Sequence, residues 1–207
     1  MAESNAKTLL VADFCARTQA FCRQPACVLW LQGCASNCPG CLAPEWADTS
    51  GGKLVPCDEV LGWVLGAGTK ATELVVSGGE PLLQVEALSY LVEQLRELSS
   101  MGLILFTGFS TAQIASDPEI SALFARFDLV VAGPYEEEHN HSRGLRGSEN
   151  QELLFLSDRY LDQKDQMLWG KRRLEIELTS EHTRIIGIPP VKVGPIITQD
   201  NRGRDVV

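Results

Sequence analysis

Apolar positions in this chain fall in short continuous runs, and the runs alternate with stretches patterned at helical spacing. CVLWLQ (27–32), TELVVSGGEP (72–81), LILFTG (103–108) and DLVVAGP (128–134) each carry such a run and lead into glycine. Short apolar runs bounded by turn residues predict strands. Between them, DEVLGWVLGAG (58–68) reads as a helix closed by glycine. VEALSYLVEQLRELSSMG (85–102) is the clearest helix. Its Leu88, Leu91, Leu95 and Leu98 recur at spacings of three and four and form one apolar face. Gly102 then suits the left-handed position after a helix. A further helical stretch is interrupted at Asp117-Pro118 and ends near Phe127. ELLFLS (152–157), RRLEIELTS (172–180) and TRIIGIPP (183–190) read as strands. The second alternates at period two and should be half-buried. Residues 135–150 are polar and read as a loop.

Strands alternating with helices imply a mainly parallel sheet with right-handed crossovers. In such folds the loops after the carboxyl ends of strands carry function. The cysteine-bearing loop after 32, SGGEP, TGF and AGPY all follow predicted strands, so they should share one edge of the sheet. The 207 residues suggest a single domain. It is expected over 1–190, with 158–190 as a C-terminal extension of the core and 191–207 as a mobile tail.

Charge and composition narrow the partners. Lys and Arg number 18 against 27 Asp and Glu, a net charge of −9. Such a chain repels phosphate backbones, so nucleic acid is not the expected partner. No apolar run approaches the roughly 20 residues of a membrane span. The start, MAESNAKTLLVADFCARTQA, lacks the basic region and apolar stretch of a secretion signal, so a cytoplasmic protein is expected. Seven cysteines there point to metal ligands, reactive thiols or buried small residues more than to disulfides.

GCASNCPGC (33–41) holds three of those cysteines, Cys34, Cys38 and Cys41. Structural zinc takes four protein ligands. Each iron of a [4Fe–4S] cubane needs one ligand beyond its sulfides, so three thiolates would leave one iron open. Gly33 and Gly40, with Pro39 beside Gly40, suit a tight loop. Spacing alone leaves zinc open, completed by Cys57 or His139. SGGEP then adds a glycine pair after a strand, where a ligand can approach the backbone, and Glu80, whose carboxylate can hold a cationic amine. By itself SGGEP also fits a plain glycine turn before a helix.

C-x3-C-x2-C followed by GGEP resembles the radical S-adenosylmethionine superfamily. GCASNCPGC, SGGEPLLQ, LFTGF, DLVVAGPY and LRGSENQ together resemble the anaerobic ribonucleotide reductase activating protein family, over roughly residues 27–157. That resemblance implies an α/β fold, a partial open (β/α) barrel of the radical SAM type. It implies that Cys34, Cys38 and Cys41 hold a [4Fe–4S] cluster and that S-adenosylmethionine occupies the open iron. Gly78, Gly79 and Glu80 would then position the methionine amine. Gly40 would serve by backbone where many members carry an aromatic residue beside the adenine. Thr107 and Gly108 become candidates for ribose or carboxylate contact, and Ile185 and Gly187 would border the adenine. An electron from a flavodoxin or ferredoxin would cleave the sulfonium to methionine and a 5′-deoxyadenosyl radical. The implied protein partner is a glycyl-radical enzyme. The chain departs from the family pattern at Ala132, Leu42 and Ala43.

Two other functions fit the same motifs: a tailoring enzyme acting directly on a peptide, nucleoside or small molecule, and a metal-binding interaction module without turnover. Cys15, Cys22, Cys27 and Cys57 are spaced too loosely for a second cluster and read as buried thiols. EEEHNHSRGLRGSENQ (136–151) fits either a solvated loop or a docking surface, in which Arg143 and Arg146 could grip a carboxylate. His139 and His141 are not expected as metal ligands without a third ligand nearby. Trp30, Trp46, Trp63 and Trp169 read as core or interface bulk, with Trp46 placed to shield a cluster.

Overall fold

A computed structural model describes residues 7–178 and 183–190. The tail expected at 191–207 lies outside those residues. Seven strands form one sheet in the order β3-β1-β2-β4-β5-β6-β7. Its centre is β2 (Ala26–Leu31), β4 (Glu73–Gly78), β5 (Gly102–Thr107) and β6 (Leu129–Ala132), all parallel. These are the four continuous apolar runs of the sequence. All six residues of β2 and all four of β6 are buried, as strands covered on both faces must be.

Three antiparallel strands flank this centre. β1 (Thr8–Thr18) pairs with β2 and with β3 (Lys53–Pro56), and β7 (Glu152–Phe155) pairs with β6. The sequence reading passed over β1. Its ladder to β2 shifts register twice, so inward and outward positions do not keep a steady alternation.

The parallel strands follow one another in space in chain order, without reversal. Their connecting helices α1 (Cys57–Ala67), α2 (Val85–Leu98), α3 (Thr111–Ser116) and α4 (Pro118–Phe124) all pack against one face, with Leu29, Leu74, Leu103 and Val130. One-sided crossovers are the winding of a (β/α) barrel. Here the sheet ends at β3 and β7, so the barrel is partial and open.

The other face is filled by the chain's later residues. Val28, Val75, Ile104 and Val131 meet Leu145, Tyr160, Met167 and Ile186. Tyr160 is fully buried there. Residues after 157 include a 3-10 stretch (Asp158–Gln163) and α5 (Lys164–Trp169), which supply Tyr160 and Met167 to this face. A two-stranded hairpin, β8 (Leu174–Leu178) and β9 (Thr183–Gly187), forms its own small sheet.

Three local expectations change. Leu98 is exposed, and Val92 completes the buried face of α2 with Leu88, Leu91 and Leu95. Gly102 is no helix cap. Ser99 caps α2 in an extended conformation, and Gly102 opens β5, where a Cβ would collide with the Glu73 carboxylate, Arg159 and Tyr160. In β8 the apolar Ile176 and Leu178 are exposed. The polar Glu175 is the anchored position, accepting from Thr18 Oγ1 and Gln19 N–H at 2.7 Å each.

Candidate functional site

Because β2, β4, β5 and β6 are parallel, their carboxyl ends lie at one edge, and the four loops expected there arrive together. The cysteine loop leaves β2 at Gln32. The Gln32 side chain is buried and donates to Glu45 O (3.1 Å) and Asp48 O (2.6 Å), tying down the loop's returning limb. Gly33 N–H donates to Trp46 O and Cys34 N–H to Ala47 O, closing the loop's base. Trp46 stacks on Trp30 with ring centroids 5.6 Å apart. The sequence hid Gln32 as a polar residue ending an apolar strand. The Gly51-Gly52 pair that accommodates it was the available signal, since a Cβ on either would strike the Gln32 side chain.

Within the loop Cys34 and Cys38 are half-buried and Cys41 is exposed. Positive φ at Gly33 (100°), Asn37 (45°) and Gly40 (69°) folds the segment back on itself. Ser36 N–H points at Cys34 Sγ (3.4 Å), a backbone donor aimed at a sulfur. Partial desolvation raises the Cys41 thiol above its ordinary value. An Ala43 backbone hydrogen bond opposes this, while the charges of Cys38, Cys34 and Glu45 add to it. The three thiols thus share one neighbourhood.

The glycine pair has a packing reason. Gly78 has φ 118°, and a Cβ there would strike the Leu31 backbone. At Gly79 a Cβ would strike Gly33 O and, at 2.7 Å, Trp46 O. Gly79 N–H donates to Leu31 O (2.7 Å) and Glu80 N–H to Gly33 O (2.8 Å). GG therefore lets the β4 loop dock flush under the cysteine loop.

Glu80 is buried, 1% exposed. Its Oε1 accepts from Leu82 N–H (2.9 Å) and Thr107 Oγ1 (2.7 Å), and its Oε2 from Gly108 N–H (2.7 Å). Burial raises its carboxyl above the ordinary range, partly offset by those three bonds. Thr107 and Gly108, expected as ligand contacts, spend their donors on Glu80. The Gly108 Cα faces Ser36 of the cysteine loop, since a Cβ there would stand 3.5 Å from Ser36 Oγ. Gly40, Gly78, Gly79, Glu80, Thr107 and Gly108 are thus brought beside the three cysteines. Gly187 is not: its α-carbon packs on Ala20, Leu174 and Arg173 O, beyond the end of β1 where that strand meets the start of β2.

The AGPY loop after β6 completes the edge, and its acidic continuation covers Gly40 with Glu137. Sequence reasoning missed that contact. The RGSENQ segment frames this loop from behind. Its arginines are engaged internally: Arg143 pairs with Glu149 (3.7 Å), and Arg146 donates to Glu149 O (3.0 Å) and lies over the Trp169 ring. His139 Nδ1 lies 2.6 Å from Glu136.

Three thiols supply the ligand count of a cubane with one open iron, whereas structural zinc takes four protein ligands. Three thiolates on one zinc lie about 3.8 Å apart, from a 2.3 Å bond and tetrahedral angles. Among the described residues, three metal-ligating side chains converge within 4.8 Å at Glu136, Glu138 and His139, and not at the cysteines. Completion by Cys57 fails, since Cys57 is buried beneath α2 with its thiol on Ala87 O. Cys15, Cys22 and Cys27 are also buried, and burial pushes Cys22 and Cys27 up to about 12, with Glu73 adding to both. They stay protonated thiols.

A partial barrel with three thiols and a glycine-glutamate turn at its strand ends is the architecture of an iron–sulfur protein of the radical SAM type. The chain belongs to the 4Fe-4S single cluster domain family, whose model matches residues 22–154. It is 28% identical over 132 residues to the anaerobic ribonucleoside-triphosphate reductase-activating protein of Vibrio cholerae serotype O1 (strain ATCC 39315 / El Tor Inaba N16961), a match covering 60% of this chain and 84% of the relative. The crystal structure of QueE from Escherichia coli aligns at TM-score 0.42 and 14% identity, over 63% of this chain and 60% of that one, so this chain spans less than two thirds of its length. The likeness to radical SAM activating proteins drawn from the motifs stands, and with it the cofactor pair of a [4Fe–4S] cluster and S-adenosylmethionine. No described helix is long and apolar enough to cross a membrane.

Proposed function

We propose that this chain is a radical SAM enzyme that activates a glycyl-radical partner. Cys34, Cys38 and Cys41 hold three irons of the cluster and leave the fourth for S-adenosylmethionine. When bound, this pair supplies one-electron cleavage of a carbon–sulfur bond and a 5′-deoxyadenosyl radical that removes a hydrogen atom from substrate. The chain's own residues bind and orient. Gly78 and Gly79 bring bare backbone to the methionine end, and Gly40 does so at the far side of the cysteine loop. Glu80 contributes negative charge for the methionine amine. By its hydrogen bonds it also fixes Thr107 and Gly108 at the rim.

The observation that carries the choice of substrate is the exposure of the cysteine loop. Cys41 is exposed and Cys34 and Cys38 are half-buried at the strand ends, while Tyr160, Met167, Leu145 and Ile186 pack on the sheet face, Tyr160 being tied to Glu73 at the amino edge. A substrate that reaches the cluster from outside, on an extended loop of a large protein, fits this shape better than a peptide or nucleoside held within. The 28% identical activating protein supports the same reading. The electron would come from a reduced flavodoxin or ferredoxin.

The test is anaerobic. The reconstituted protein, dithionite and S-adenosylmethionine should yield 5′-deoxyadenosine, and the Cys38→Ala variant should yield none. Adding a glycyl-radical reductase subunit should produce a glycyl-radical doublet in its EPR spectrum. Product without any doublet would overturn the activase role and favour direct action on a smaller substrate. A zinc-loaded, iron-free protein would overturn the enzyme itself.

A further inference from the structure

The loop after β6 reaches across the site edge and touches the cysteine loop at one point. Gly40 sits in the CPGC turn with φ 69°, and a Cβ built there would stand 2.5 Å from Glu137 Oε2 and 3.1 Å from Glu137 Cβ. The Glu137 side chain occupies the space that a side chain at 40 would otherwise fill. Its position is framed by the segment the sequence left as loop or docking surface. Glu136 N–H donates to Ser148 Oγ (3.0 Å), and Glu149 N–H to His139 O (2.9 Å). Gln151 Nε2 donates to Gly133 O (2.7 Å) and Asn150 Nδ2 to Pro134 O (2.9 Å). RGSENQ is thus a brace for the turn that delivers Glu137.

We propose that Glu137 is a positioning residue for the cluster loop and that its carboxylate lowers the cluster's reduction potential. This rests on the reading of Cys34, Cys38 and Cys41 as cluster ligands. A negative charge beside a cluster makes the addition of an electron less favourable, since potential follows net charge and exposure. A lower potential makes the reduced cluster a stronger donor. Glu137 is itself exposed, so salt screens its effect, which is largest at low ionic strength.

The test is an EPR-monitored redox titration of the anaerobically reconstituted full chain, with iron and sulfide content measured alongside. Glu137→Gln should keep the wild-type iron content and move the midpoint potential positive, by a shift that shrinks in high salt. Glu137→Asp keeps the charge and should hold the wild-type potential. Gly40→Ala displaces the carboxylate and should shift the potential in the same direction as Glu137→Gln. Glu97→Gln, an equal charge change at the C-terminal end of α2, should shift nothing. A Glu137→Gln midpoint equal to wild type, or equal shifts in the Gln and Asp variants, would overturn the proposal. A wild-type protein that takes up no [4Fe–4S] cluster would overturn the ligand reading first, and this inference with it.

Discussion

The two edges of the parallel sheet are built on opposite principles. At the amino ends of the strands, charged groups are buried and paired. Glu73, opening β4, accepts from Tyr160 Oη, from Arg159 Nε (3.1 Å) and Nη2 (3.0 Å), and from Thr72 Oγ1 (3.2 Å). Asp128, just before β6, accepts from Leu103 N–H (2.8 Å), Ser157 Oγ (2.7 Å) and Arg96 Nη2 (3.0 Å). Both networks pin the segment after 156 to the sheet. At the carboxyl ends, glycines replace side chains, three thiols stand open or half-open, and the loops hold one another mainly by backbone bonds. The closed edge fixes the scaffold, which frees the other edge to keep unspent ligand valence. A buried unpaired thiolate or charge would be costly in a scaffold not otherwise secured.

The sharpest break of this contrast is at the open edge. Cys38→Ala should abolish uptake of the [4Fe–4S] cluster, seen as loss of the visible absorption of the reconstituted protein. The stability of the apo-protein should change by only about 0.5 kcal/mol, as for a half-buried site outside the core. A large fall in apo stability would mean the open edge also carries the fold.

Glu73→Ala tests the opposite edge. It strips the acceptor from Tyr160 and Arg159, and removing one member of a buried pair costs about 3–5 kcal/mol. A value near 3 kcal/mol is expected, because the Arg159 side chain is 35% exposed and can turn to water. Iron bound per folded molecule should not change. Urea melts together with iron analysis separate the two quantities.

Gly79→Ala should join the two effects at smaller size. The new Cβ meets backbone at Gly33 O and Trp46 O, neither of which can swing aside. Overpacking of this kind costs about 1–3 kcal/mol. Because the displaced backbone belongs to the cysteine loop, cluster occupancy should fall as well. Unchanged occupancy would show that the glycine pair does not set the loop's position.

What was legible in the sequence follows the same division. The four central strands are continuous apolar runs, and the cysteine spacing is local, so both could be read directly. Asp117-Pro118 marked the break between α3 and α4 for the same reason, with Asp117 capping the second helix. Gly102 was misread because its cause is tertiary: Glu73, Arg159 and Tyr160 converge there from distant parts of the chain. Leu98 fits the helical period, yet α2 has reached its end and left the core by that point. Glu137 on Gly40 and Gln32 on Asp48 depend on which loops meet, which periodicity does not encode. The covering of the sheet's second face was likewise invisible, since residues after 157 gave no sign of which face they would pack on.

The smallest expected effect is a difference of slopes. Burial alone would raise the Asp128 carboxyl, but the bonds from Leu103, Ser157 and Arg96 outweigh it, and the group lies below its ordinary value of 3.8. Its contribution is present above that value and is lost as pH falls through the lower folded one. Glu80 has the opposite sign. Burial holds it above 4.5, so its contribution is present below that value and is lost as pH rises through the higher folded one. The stability gap between wild type and Asp128→Asn should therefore widen with rising pH across the acid range. The gap between wild type and Glu80→Gln should narrow as pH rises above 4.5, the ordinary value. Urea midpoints collected between about pH 3 and pH 7, a range spanning both carboxylate values, would show the two trends. Parallel trends would mean the buried carboxylate at the open edge is held as the paired ones are, and the contrast between the edges would then rest on the thiols alone.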